Sequence, residues 1–287
     1  MLINVKQAIP WWIKIISKVI LSRLPISYNI WKQISLFKHG EMGNYSYAYQ
    51  VFKKHFIPAE LPENFTTLEI GPGDSLFSGL ISKALGGELC YLIDVGDYAN
   101  KDQKRYQEVN MFLVNQGLKT VNIENCNSFQ EILDKNQIIY LTEGLKSLKT
   151  IPSNSVDFIF SQAVLEHIRR NEFLDVMKEL RRIIKNTGYC SHMIDLKDHL
   201  GGNLNNLRFY ERIWELDFMV KSGFYTNRIR YSEMIDLFQE ANFQITSIEI
   251  KKWDKLPTSR KNLAFPFRNM PDEELLVSEF STILHPV

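Results

Sequence analysis

Thr66-Thr67-Leu68-Glu69-Ile70-Gly71-Pro72-Gly73-Asp74-Ser75-Leu76 is the stretch that decides the fold. A short apolar run ends in a Gly-x-Gly turn, and a helix-like segment, 76–85, begins at once. Strand, glycine loop and helix in that order open a nucleotide-binding α/β domain. The glycines let backbone approach a ligand closely, and a new helix points N–H groups at it that have no partner inside the helix.

The residues around the turn choose between ligands. A dinucleotide would place two phosphates over it, and carboxylates there would repel them. Yet Glu69 stands two positions before the first glycine, Asp74 directly follows the second, and Leu76 fills the place of the third glycine of the dinucleotide fingerprint. Acid at this turn suits a cationic head, such as the ammonium and sulfonium of S-adenosylmethionine, better than NAD.

Glu69-Ile70-Gly71-Pro72-Gly73 resembles motif I of the class I S-adenosylmethionine-dependent methyltransferases. The likeness continues through Leu92-Ile93-Asp94-Val95, Ser155-Val156-Asp157-Phe158-Ile159-Phe160-Ser161 and Ala163-Val164-Leu165-Glu166-His167-Ile168, and covers 64–195 best. It implies an α/β, Rossmann-like sheet of seven mostly parallel strands with one antiparallel strand and helices on both faces. The expected division is an N-terminal helical extension, 1–63, and a methyltransferase domain, 64–287, with a substrate cap inserted at 200–230 after the fifth strand.

Composition sets outer bounds. A chain of 287 residues can bury a large core. Its net charge of +1 lacks the basic balance of a nucleic-acid-binding enzyme, so no nucleic acid is expected. Cys90, Cys126 and Cys190 lie far apart without a Cys-x-x-Cys pair, which argues for core thiols and against structural zinc.

Residues 1–40 carry Lys6, Lys14, Lys18, Arg23, Lys32 and Lys38 but no acid. Within them 11–21 reads as a helix with a wide apolar side, too short and too charged to span a bilayer. Two readings stay open: a helix packed on the domain as a lid, or a basic amphipathic helix touching an anionic membrane. The location expected is cytoplasmic, with peripheral contact to the inner face of a membrane as the variant. A helix follows at about 46–56, with Tyr45 placed to line the site.

The second strand, 88–95, is a nearly continuous apolar run. Asp94 at its end is the residue expected to accept hydrogen bonds from ribose hydroxyls, with Val95 beside it. A third strand, 137–142, leads to Glu143 and Leu145, which the resemblance sets near the adenine. The fourth, 155–161, ends at Ser161 and Gln162, and His167 follows; all three are expected beside the cofactor, although a structural role for the histidine competes. The fifth, 188–196, carries His192 and Asp195, and His199 comes just after. These three are the candidate catalytic groups, since a histidine titrates near working pH and can take a hydroxyl proton. Metal binding by this cluster lacks a recognised ligand spacing, and no metal is expected.

Between 200 and 231 aromatic residues alternate with arginines; Arg208 and Trp214 are the candidate acceptor wall. A helix at 232–241, with Ser232 as its cap, a sixth strand at 243–253 and a last strand at 277–284 complete the expectation. The function that follows is methyl transfer from S-adenosylmethionine to an oxygen or nitrogen of a small molecule or saccharide. Its rival is an inactive scaffold of the same fold, held at a membrane through the basic N-terminus.

Overall fold

A computed structural model describes residues 10–21, 23, 41–57 and 60–287. Helix α1 (Trp11–Leu21) is followed by α2 (Tyr45–His55), which Asn44 caps by accepting the N–H groups of Ser46 and Tyr47. Strand β1 (Thr66–Ile70) leads through the glycine turn into α3 (Phe77–Ala84). Then come β2 (Leu89–Ile93), α4 (Gln103–Asn115), α5 (Phe129–Lys135), β3 (Ile138–Leu141) and α6 (Leu145–Thr150). The chain continues with β4 (Val156–Gln162), α7 (Phe173–Ile183), β5 (Ile184–Asp195), α8 (Tyr231–Glu240), β6 (Phe243–Lys252) and β7 (Val277–Pro286).

The seven strands form one sheet in the order β3-β2-β1-β4-β5-β7-β6, and β7 runs antiparallel to both of its neighbours. The order reverses between β1 and β4, which pair in parallel from Thr67 to Ile70. Ligands of open α/β sheets bind at such a reversal, beyond the carboxyl ends of the strands.

Both faces of the sheet are covered. Leu68, Ile159 and Ile194 pack against α7 and α8 on one side, through Met177, Leu180 and Phe238. Leu92, Phe158 and Phe160 meet α2, α3 and α4 on the other, through Phe52, Leu80 and Tyr106. Strands buried twice read as continuous apolar runs, which is why β2 and β4 stood out.

Two local expectations change. Strand β5 begins at Ile184, which pairs with Val156 across a register irregularity, four residues before the expected start. Ser232 does not cap α8: Arg230 holds the cap position, and the Ser232 hydroxyl and N–H bond Glu274 instead.

The stretch after β5 is mostly loop, with a turn of 3-10 helix at Asn205–Arg208 and two single-turn helices, Glu211–Trp214 and Asp217–Val220. It folds around Trp214, which is fully buried with Phe224, Tyr225, Met219 and Leu200. Helix α1 closes this small core from outside. Trp11, Ile15 and Val19, one helical stripe, pack into it, and the Lys14 ammonium donates to the Leu200 carbonyl at 2.8 Å.

Candidate cofactor and acceptor site

The glycine turn is built by close packing. Gly71 has φ +71°, and a Cβ there would lie 2.5 Å from a methyl of Val164, which follows β4. Only glycine fits both the backbone and the gap. Gly73, φ +65°, donates its N–H to Asp94 Oδ2 at 3.1 Å, and Asp94 Oδ1 accepts from Val95 N–H at 2.7 Å. The turn after β1 is thereby tied to the end of β2. Gly144 continues the line: its N–H donates to the Asp94 carbonyl at 2.9 Å, and it faces the exposed Val95. So Asp94, Val95, Glu143 and Leu145 sit side by side at the ends of β2 and β3. Glu143 is exposed and Leu145 partly buried.

The electrostatics of this half suit a cation. Glu69 is 1% exposed, and its Oε2 has no hydrogen-bond partner among the described residues. Burial raises its carboxyl from 4.5 to about 8. Asp94 is likewise pushed up by burial, to about 6, against the hydrogen bonds from Val95 and Gly73. A buried Glu69 anion is costly when it stands alone, and a cationic ligand group beside the glycine cradle would offset that cost. Asp74 is buried, its carbonyl accepts from Asn100 N–H, and it lines an open cavity of about 640 Å³ with Gly43, Asn44, Tyr45 and Arg105. Tyr45 leans on Phe112, with ring centroids 5.1 Å apart, so it stands on the glycine-turn side rather than under the cap.

Several expected site residues lie in the core. His192 is fully buried; its Nδ1 meets the Ser161 hydroxyl at 2.8 Å, and burial lowers it to about 3. It is a neutral core histidine and reaches no acceptor, so its candidacy as base is corrected. Ser161, also fully buried, is spent on that contact and not on a cofactor. Trp214 is not an acceptor wall either: its indole N–H donates to the Thr226 carbonyl at 2.7 Å inside the cap's own core. Arg208 lies over the Trp11 ring and donates to Asn205 Oδ1 at 2.9 Å, pinning α1 to the cap. Gln162 accepts from His55 Nε2 at 3.0 Å, and His55 Nδ1 accepts the Ser191 hydroxyl at 2.8 Å. His55, from α2, was invisible as a site feature because only the fold brings it under β4 and β5.

The second half of the site forms past β4 and β5. The turn Leu165–His167 carries Glu166 and His167. The segment returning from the cap clamps it: Asn227 Nδ2 donates to the carbonyls of Leu165 and Ile168 at 2.9 and 3.0 Å, and His167 Nδ1 meets the Tyr225 carbonyl at 2.7 Å. The His199 ring lies tilted beside that of His167, with centroids 4.7 Å apart. Asp195 at the end of β5 pairs with Lys197 at 3.1 Å. Asp198 instead accepts the N–H groups of Leu200, Gly202 and Asn205, which shapes the loop that presents His199. His199 and His167 are thus brought together, Asp195 lies near Glu166, and His192 stays buried in the core. Glu166 was passed over in the sequence. It is 1% exposed, and burial holds its carboxyl well above the usual range. An acid directly after the apolar run Ala163-Val164-Leu165 was the available signal.

Residues 68–191 match the family described as Methyltransferase domain. No curated protein sequence matches the chain. Among solved structures, an S-adenosylmethionine dependent methyltransferase from Mesorhizobium loti aligns at 12% identity over 86% of this chain and 100% of its own, with a TM-score of 0.43. Mitomycin 7-O-methyltransferase aligns at 13% identity over 98% and 70%, with a TM-score of 0.45. Geranyl diphosphate methyltransferase in complex with SAM gives 10% identity over 84% and 85%, with a TM-score of 0.46. Residues 68–191 are thus similar to a methyltransferase domain, and the strand order and the acid-flanked glycine turn agree with that match and with S-adenosylmethionine as the cofactor.

Proposed function

We propose that the protein transfers the methyl group to an oxygen or nitrogen of a small molecule or saccharide, bound between the ends of β4 and β5 and the cap formed by residues 200–230. The observation that carries this reading is the placement of Asp195 and His199 at the carboxyl edge of the sheet, adjoining the turn where Val164 touches Gly71. When bound, S-adenosylmethionine supplies a methyl already activated by its sulfonium. The protein then has to align the nucleophile and, for a hydroxyl, take its proton. Asp94 would hold the ribose and Glu69 the cationic end. The Asp195 carboxylate and the His199 imidazole are the groups assigned here to receive that proton. On this reading residues 1–63 serve as an extension over the domain 64–287.

Calorimetric titration with S-adenosylhomocysteine, followed by a methyl-transfer screen over phenols, amines and sugars, tests the proposal. Asp94→Asn should weaken cofactor binding about tenfold, the value of one lost charge-assisted hydrogen bond of roughly 1.4 kcal/mol. Binding without turnover on any acceptor would favour the scaffold.

One observation supports a second reading, contact with an anionic membrane. While one stripe of α1 packs on the cap, Trp12, Ile16 and Ile20 on the adjoining stripe are 50%, 51% and 57% exposed. No described helix is long and apolar enough to cross a membrane. An apolar stripe beside lysines is the composition of an interfacial helix. Residues 1–9, 22 and 24–40, where the other basic side chains of the segment fall except Arg23, lie outside the described residues. Sedimentation with anionic and neutral vesicles checks it: Ile16→Glu should abolish binding to the anionic vesicles, and equal binding by both proteins refutes the contact.

A further inference from the structure

Glu166, His167 and His199 form a cluster that methyl transfer by itself does not require. One ligand atom from each lies within 4.8 Å of the other two, the one such group found among the described residues. Glu166 is 1% exposed, and neither carboxylate oxygen makes a hydrogen bond of ordinary geometry, although the N–H groups of Glu166 itself and Asp195 lie nearby. A carboxylate in such a place is costly unless it is protonated, paired or coordinating a metal. Of the cations nearby, Lys197 Nζ sits 3.1 Å from Asp195 and 3.4 Å from Glu279, and Lys18 stands on the side of His199.

The surroundings of the histidines point the same way. His167 Nδ1 donates to the Tyr225 carbonyl at 2.7 Å. Metal-binding histidines commonly give their second ring N–H to a carbonyl or carboxylate, which fixes the tautomer and the ring's orientation. His199 is exposed and stands with its ring centroid 4.7 Å from that of His167. Two imidazoles and a carboxylate are the donors that divalent first-row transition ions take, with one or more positions left open. Ligand atoms about 2.1 Å from a tetrahedral ion stand roughly 3.4 Å apart, so side-chain shifts of about 1 Å would close the cluster.

We propose that Glu166, His167 and His199 bind one divalent transition ion of the zinc type. The site lies past the carboxyl ends of β4 and β5, where the acceptor is placed. An ion there would polarise an acceptor oxygen, occupy His199 and leave the proton to Asp195. That catalytic role rests on the methyl-transfer reading; the binding of the ion does not.

The test is titration of the full chain, stripped of metal with chelator, with Zn²⁺ by calorimetry and Co²⁺ by visible absorption, beside His199→Ala and Glu166→Gln. The expected result is one ion per chain, Co²⁺ bands of a low-coordinate site, and at least tenfold weaker binding in each variant. His199 is exposed, so its variant leaves the core intact, and S-adenosylhomocysteine binding reports the fold. No saturable binding, or equal binding by the parent and both variants, overturns the site. Cofactor binding without the ion would remove this inference alone. Ion binding without cofactor binding would instead remove the methyltransferase reading and keep the site.

Discussion

The two halves of the site are built by different means. At the ends of β1, β2 and β3, backbone does the work: Gly71, Gly73 and Gly144 bring loops together, and Asp94 ties them with its side chain and its carbonyl. At the ends of β4 and β5, side chains from distant segments do it. Asn227 and Tyr225 hold the turn that carries Glu166 and His167, and Asp198 shapes the loop that carries His199. The first half should tolerate little change at its glycines. The second should depend on whether the cap stays folded.

The largest break in that comparison is expected from Trp214→Ala. Removing a fully buried indole from a small core should cost about 3–5 kcal/mol. Thermal melting should show an early transition of the cap, while cofactor affinity stays near the parent value. An acceptor defect with unchanged melting would restore Trp214 as an acceptor wall.

Next comes Gly71→Ala. The added carbon meets Val164 and the residue must keep a positive φ, so the turn has to shift. S-adenosylhomocysteine affinity should fall by a hundredfold or more, about 2.7 kcal/mol. The double change Gly71→Ala with Val164→Ala should recover part of the loss; no recovery would mean that backbone strain alone matters.

A third prediction sharpens the electrostatic side. Glu69 has its folded-state carboxyl raised from 4.5 to about 8, so the folded cofactor-free protein holds this proton more tightly than the unfolded chain does. Its stabilising contribution is complete below pH 4.5 and is lost as pH rises toward about 8. Asp94, raised from 3.8 to about 6, acts in the same direction over its own lower window. Melting of cofactor-free protein followed across this range should decline with pH, and Glu69→Gln should flatten the decline. A parallel decline in the variant would show that Glu69 is not its source.

Much of the first half was legible in the sequence because its parts are local. Glu69, Gly71 and Gly73 fall within five residues, and Asp94 closes the next strand. Those spacings dictate a strand, a tight turn and a second strand end whatever the rest of the chain does. The alternation of apolar runs with helical segments likewise determined the layered α/β sheet and its helices, and the helix of 11–21 was readable from its own periodicity.

Only the tertiary structure decided which polar residues face the site. On a one-sided sheet, alternation would separate buried from exposed positions. Here helices cover both faces, so a polar residue on β4 or β5 points into a core whichever way it turns. That is why His192 and Ser161 became partners of each other, whereas His199, beyond the strand end, reached the open edge. His55 joining Gln162 across 107 positions of sequence and Trp214 closing a core with α1 are products of packing between distant segments. No local spacing records such contacts, because their energy exists only once the sheet, the cap and the N-terminal helices are assembled.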